Sequence, residues 1–215
     1  MNISGSISAN HFIQIPNPQS LQKSLGLTGR YLYLQVKSTA GAPFSLHFDF
    51  AMAERGHNTR LSVSNLFKAF NQSTGFAVQV PLELRPERWT CVCLDIVELM
   101  SRSLLFPSSY SLDGAHTLKV ITLCANVQIR GVYTSDNEYD FVTLPSDMRF
   151  KFPFDNQAQV STKWLEYFDW QHIPGDWADG VEHKSARSKL DIDGGHLKAK
   201  GGRDVERNKM SQEID

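Results

Sequence analysis

The sequence predicts a mainly β chain: an antiparallel β-sandwich, jelly-roll-like, with two short helices and a disordered C-terminal tail. Three observations carry that expectation. Apolar and polar residues alternate with period two through several segments before residue 154, the pattern of strands with one buried face. The run from Trp89 to Leu94 is apolar on both parities, which predicts a central strand covered on both sides. From about residue 180 the chain becomes charged and glycine-rich, and it cannot bury enough apolar surface to offset the entropy of ordering.

The elements follow in order. In Tyr31 to Lys37, Leu32, Leu34 and Val36 form the inward set, and Tyr31, Tyr33, Gln35 and Lys37 point outward. From Phe44 to Phe50 the inward set is Phe44, Leu46, Phe48 and Phe50, with Ser45, His47 and Asp49 opposite. Ser64 to Phe70 predicts one short turn of helix that packs down Leu66, Phe67 and Phe70. Phe76, Val78, Val80, Leu82 and Leu84 then alternate with Ala77, Gln79, Pro81 and Glu83. Pro81 lacks an N–H, so it marks an edge position or the strand's end.

Asp95-Ile96-Val97-Glu98 has the form of a capping box. It opens a second short helix with Ile96, Leu99, Met100 and Ser103 on one face and Pro107 as its stop. Leu123 to Asp136 reads as two strands joined in a hairpin at Ala125-Asn126, because Asn tolerates the left-handed backbone of a tight turn. Val127, Ile129 and Tyr133 would face inward there, with Gln128 and Arg130 on the other side. Trp164 to Trp170 predicts about two helical turns with Trp164, Tyr167 and Phe168 on one stripe. The expected organisation is a sandwich domain over 1–154, an aromatic linker over 155–179 and the charged tail over 180–215.

Composition narrows the function classes. The 215 residues, 41% hydrophobic and 11% aromatic, can fill one core. A formal net charge of −1 supplies no global basic field, so neither nucleic acid nor an anionic membrane is an expected partner. Any acidic partner must be met by a local patch. No apolar run reaches the roughly 18 residues of a spanning helix. Met1-Asn2-Ile3-Ser4 shows neither a basic nor an apolar signal region, so a cytoplasmic protein is expected. Cys91, Cys93 and Cys124 all lie in apolar, strand-like runs, and read as buried reduced thiols.

Assembled chemistry is not evident, and no catalytic residue, cofactor or metal is expected. His47 and Asp49, two apart on a strand, share a face and sketch a metal site with His57, but no cysteine pair supports them. Cys91 or Cys93 with His116 would make a nucleophile and base, yet no catalytic-cysteine context surrounds them. Gly26, Gly29 and Gly41 open no phosphate-cradling loop. The outward Tyr31 and Tyr33 are either covered by another segment or form an interaction platform, since tyrosine suits both protein interfaces and sugar stacking. Lys37, Arg60, Lys68, Arg85, Arg88, Arg102, Lys119 and Arg130 are the basic residues expected to face solvent. They are either ordinary solvated surface or contacts for an acidic partner.

The run Leu123-Cys124-Ala125-Asn126-Val127-Gln128-Ile129-Arg130-Gly131-Val132-Tyr133-Thr134-Ser135-Asp136 closely resembles the domain of the cilia- and flagella-associated protein 20 family. So do Trp89-Thr90-Cys91 leading to Leu94-Asp95, and Leu144-Pro145 at the close of the unit. Gly5 to Asn10, Ser24 to Tyr33 and Ser64 to Lys68 resemble a centriolar, WD-repeat-bearing branch of that family. The resemblance spans most of the first 155 residues or so, although related domains carry one or two further strands ahead of the position of Met1. On that comparison the chain is a fragment or an alternative start, or another element covers the exposed strand.

The resemblance implies a non-enzymatic structural role at the inner junction of doublet or triplet microtubules, or in the inner scaffold of the centriole. The implied partners are the tubulin lattice and neighbouring junction or scaffold proteins; the implied locations are the centriole or basal body and the ciliary axoneme. Arg85, Arg88, Lys68, Arg130, Tyr31 and Tyr33 are the candidate partner-binding residues. The alternative is a carbohydrate-binding sandwich, with Tyr31, Tyr33 or Trp164 as stacking platform.

Overall fold

The computed structural model describes residues 1–5, 10–53, 58–73, 76–101, 116–150 and 166–173. The chain divides into Met1–Val181 and Glu182–Asp215, and the second unit, like the expected charged tail, lies outside the described residues. Two sheets face each other. The first has the order β1 (Asn2–Ile3), β10 (Val127–Ser135), β3 (Tyr31–Ser38), β8 (Thr90–Asp95), β11 (Asp169–Ile173). The second runs β2 (Phe12–Ile15), β9 (His116–Cys124), β4 (Ser45–Met52), β5 (Asn58–Ser64), β7 (Ala77–Pro81), β6 (Asn71–Ser73). All pairings are antiparallel except β5 with β7 and β8 with β11.

The inward sets meet between the sheets. Leu32, Leu34 and Val36 of β3 and Val92 and Leu94 of β8 pack with Leu46, Phe48 and Phe50 of β4 and with Leu61, Val63, Val78 and Val80. The period-two reading therefore holds for β3, β4 and β7, and Pro81 ends β7. Every residue of β8 is buried, as its double apolar pattern requires. Phe76 departs from its parity: it precedes β7 and is exposed.

The predicted hairpin is instead a crossing between sheets. β9 belongs to the second sheet and β10 to the first, with Ala125 and Asn126 joining them. Asn126 takes no left-handed turn, and Glu87 is the one described non-glycine residue with positive φ. The Asn126 side chain is spent on holding the corner, accepting the Gly5 N–H at 2.8 Å and donating to Pro43 O at 3.3 Å. Tyr133 also reverses its predicted face. A bulge between Ile129 and Gly131 leaves Arg130 extra, so Val132 pairs with Leu34 while Tyr133 pairs with Tyr33 on the outer side. A Cβ on Gly131 would come within 2.5 Å of the Tyr133 hydroxyl, so any larger residue at the bulge needs the Tyr133 side chain to move.

One of the two predicted helices forms as expected. In α1 (Ile96–Ser101) the Glu98 N–H donates to Asp95 Oδ1 at 3.0 Å, and Ile96, Leu99 and Met100 are buried; Ser103 and Pro107 lie outside the described residues. Ser64–Phe70 is a turn rather than a helix, with Leu66 exposed. Side chains there compete for the backbone: Ser64 Oγ accepts the Leu66 N–H at 3.1 Å, and Asn65 Oδ1 accepts the Phe44 N–H at 2.9 Å. The second helical piece is a 3-10 turn at Ser146–Met148. Of the helix expected over Trp164 to Trp170, Glu166 and Tyr167 are helical; from Asp169 the chain is β11, which places Ile173 in the main core, with Phe168 just ahead of it in the outer layer.

Candidate partner-binding surface

The outward set of β3 is not a surface. Tyr33 is 0% and Tyr31 8% exposed, beneath a layer made by residues 136–150 and β11. Leu144, Met148, Phe150 and Phe168 pack there against Tyr31, Tyr33, Cys91 and Cys93, with Trp89, Tyr133, Tyr139, Phe141 and Trp170 around them. Of the two readings of Tyr31 and Tyr33, cover by another segment is the one the structure shows, and the reading as an interaction or sugar-stacking platform is corrected. Five aromatic residues between Tyr139 and Trp170 supply the cover, an apolar load that the period-two reading of β3 could not register. Trp164, the third candidate for stacking, lies outside the described residues.

Buried polar groups in this layer are held by specific partners. Gln35 donates through Nε2 to Met148 O and accepts at Oε1 from Arg130 Nη1. Arg149 donates to Leu144 O at 2.5 Å and to Val142 O at 2.7 Å, closing the turn over the sheet. Burial pushes the Cys93 thiol up to about 12 and raises that of Cys91 as well, so both stay protonated at neutral pH. The three cysteines are buried free thiols.

The basic candidates fall into two groups. Arg85 and Arg88 both face the Asp169 carboxylate, at 3.4 Å and 2.8 Å, and Arg88 also donates to Phe168 O at 3.3 Å. They fasten β11 to the start of β8, which corrects their reading as a free patch on a turn. Asp169 escaped the sequence reading. The alternation of Phe168, Trp170 and His172 with Asp169 and Gln171 was the available sign of a strand there.

Arg130 and Lys68, by contrast, meet no carboxylate among the described residues and are exposed. Arg130 stands at the β10 bulge, its guanidinium 5.3 Å over the Phe150 ring. Lys68 lies on the β5–β6 connection, at the far end of the other sheet. Lys37 is intermediate: 3.7 Å from Glu87, and 5.8 Å over the Trp89 ring. Arg60 is tied to Asp49 at 2.6 Å, and Arg102 lies outside the described residues.

The structure does not assemble the other sketched sites. His47 Nδ1 is 2.8 Å from Ser62 Oγ, Asp49 is committed to Arg60, and His57 lies outside the described residues. Among the described residues no group of three metal-ligating side chains converges. His116 sits on the second sheet, 2.9 Å from Gly29 O and edge-on to Phe50, whereas Cys91 and Cys93 belong to the first. No helix among the described residues is long and apolar enough to cross a membrane.

The family model described as the CFA20 domain matches residues 1–152. WD repeat-containing protein 90 of Mus musculus is 37% identical over 162 residues, covering 68% of this chain and 8% of its own length. Its Xenopus tropicalis counterpart is 32% identical over 215 residues, covering 81% of this chain and 11% of its own length. Centriole proteome protein 16 of Chlamydomonas reinhardtii is 28% identical over 158 residues, with 72% and 7% covered. The chain therefore spans a small fraction, 7–11%, of the length of these curated relatives. With a family match that takes in β1 through β10 and the crossing at Ala125-Asn126, the chain belongs to the CFA20 domain family.

Proposed function

We propose that this domain is a structural, non-enzymatic module associated with the microtubules of the centriole or cilium. In this reading it bridges the tubulin lattice and a neighbouring junction or scaffold protein where the incomplete tubule of a doublet or triplet closes. The observation that carries the proposal is the family match over residues 1–152, together with a relative named for the centriole proteome. The geometry supports it in one respect. Arg130 and Lys68 are exposed cations that meet no carboxylate among the described residues; Arg130 is on β10 of the first sheet and Lys68 on the β5–β6 connection of the second. Charged rim contacts of this kind steer association and set register more than they add affinity. Repetition along a lattice then raises the overall strength.

The test is localisation. The chain, fluorescently tagged and expressed in ciliated cells, is expected to mark centrioles or axonemes. A tag that stays diffuse in the cytoplasm, while the protein is folded and abundant, refutes the proposal.

A further inference from the structure

We infer that the edge of β8 covered by β11 is a strand-docking groove, that residues 168–173 are its resident ligand, and that an extended segment of another protein carrying an aromatic–Asp–aromatic pattern can take their place. The inference does not rest on the microtubule reading. It begins from where β11 comes from: the family match ends at residue 152, so β1 to β10 belong to the matched unit and β11 does not. β11 joins the sheet as an edge strand, parallel to β8, in the register Asp169↔Thr90 to Ile173↔Leu94.

Each anchor of the segment enters a socket built by the matched unit. Asp169 lies between Arg85 and Arg88, and its N–H donates to Trp89 O at 3.0 Å. Phe168 stacks on Phe150 with ring centroids 4.4 Å apart, and Trp170 lies 6.3 Å from the Tyr33 ring. Gln171 Nε2 donates to Glu83 O at 3.0 Å, and Ile173 fills the end of the main core. This is strand addition: main-chain pairing holds the segment, and alternate side chains read it. The resident segment thus displays the chemistry the groove accepts: an acid facing two arginines, flanked by two aromatic rings. A segment held in cis competes at an effective concentration on the order of millimolar, so the groove is closed to weak ligands until the resident is loosened.

Two thiols report on the groove, and a third serves as reference. Cys91 and Cys93 sit on β8 directly beside Trp170 and His172, while Cys124 lies in the other sheet and serves as an internal reference. The experiment uses the whole chain, wild type and Asp169→Arg, with a synthetic peptide of residues 166–173 as probe. Thiol labelling is assigned to each cysteine by mass spectrometry. We expect Asp169→Arg to raise labelling of Cys91 and Cys93 at least tenfold relative to Cys124. Added wild-type peptide should bind that variant saturably and restore the protection. The wild-type chain should not bind it, nor should the variant bind a peptide with the same Asp→Arg change. Persistent protection of Cys91 and Cys93 in the variant overturns the proposal. So does simultaneous labelling of all three thiols, which makes the strand an inseparable part of the core. Failure of the peptide to bind a variant whose two thiols have opened overturns it as well. A concentration-dependent wild-type dimer would give the groove to a second copy instead, and would overturn the assignment to a different protein.

Discussion

Tyr33 fastens the outer layer to the first sheet through Tyr139: the Tyr139 N–H donates to the Tyr33 hydroxyl at 2.7 Å. The same hydroxyl donates to Asn137 O at 3.2 Å, within a fully buried side chain. Tyr33→Phe keeps the ring and its packing but strands the Tyr139 N–H. The expected cost is about 0.5–1.5 kcal/mol, the net worth of one hydrogen bond, because the stranded N–H is only partly buried. Urea unfolding should show it as a lower midpoint with an unchanged slope. An unchanged midpoint would mean that the layer is not held at this point.

Asp95 is the second joint, and its two duties can be separated. It caps α1 through Oδ1 and receives Arg30 through Nε at 3.1 Å and Nη2 at 2.8 Å. Asp95→Asn keeps an acceptor for the Glu98 N–H and loses the charge, so it should cost well under Asp95→Ala. The alanine variant loses the cap as well, which is worth about 1 kcal/mol. Thermal melts of the two variants and of Arg30→Ala rank the duties. Equal losses for asparagine and alanine would leave the cap without energetic weight.

Much of the sandwich was legible in sequence because period two is enforced wherever one face of a strand meets the core. In β4, Leu46, Phe48 and Phe50 could not be shifted by one residue without moving the whole set out of the core. What was not legible came from distant chain. Tyr31 and Tyr33 look outward from their own strand, and only residues 136–150 and 166–173, far along the sequence, make that face interior. The crossing at Ala125-Asn126 failed for a related reason: two adjacent strands with a short joint look the same whether they pair with each other or enter different sheets. The candidate site suffered most. Arg85 and Arg88 carry no local mark of Asp169, since the ion pairs are non-local.

That pairing changes what charge reversal does. Arg85→Glu with Arg88→Glu places two carboxylates against Asp169, and is expected to destabilise the domain by roughly 1–3 kcal/mol, as breaking a partly buried pair does. Adding Asp169→Lys should recover most of the loss. Chemical denaturation of the double and triple variants checks this. If the triple variant is no more stable than the double, the arginines act through something other than Asp169.

The buried thiols set an alkaline limit. The folded value of Cys93 is raised from 9.0 to about 12, and Cys91 moves in the same direction, so their contribution is complete below pH 9. It is then lost as pH rises toward 12, with a slope of about 1.4 kcal/mol per pH unit for each thiol. Stability curves measured from pH 8 to 11 should fall more steeply for the wild type than for a Cys91→Ala, Cys93→Ala variant. Parallel curves would show that these thiols do not resist ionisation.

The most direct measurement of the central claim is co-sedimentation of the purified chain with assembled microtubules across a salt series. Arg130 and Lys68 are exposed and face no carboxylate among the described residues, so binding should be saturable and should weaken with added salt. Lys68→Glu, and separately Arg130→Gln, should each reduce it at constant fold, as judged by circular dichroism. A folded chain that stays in the supernatant with microtubules at low salt would contradict the account.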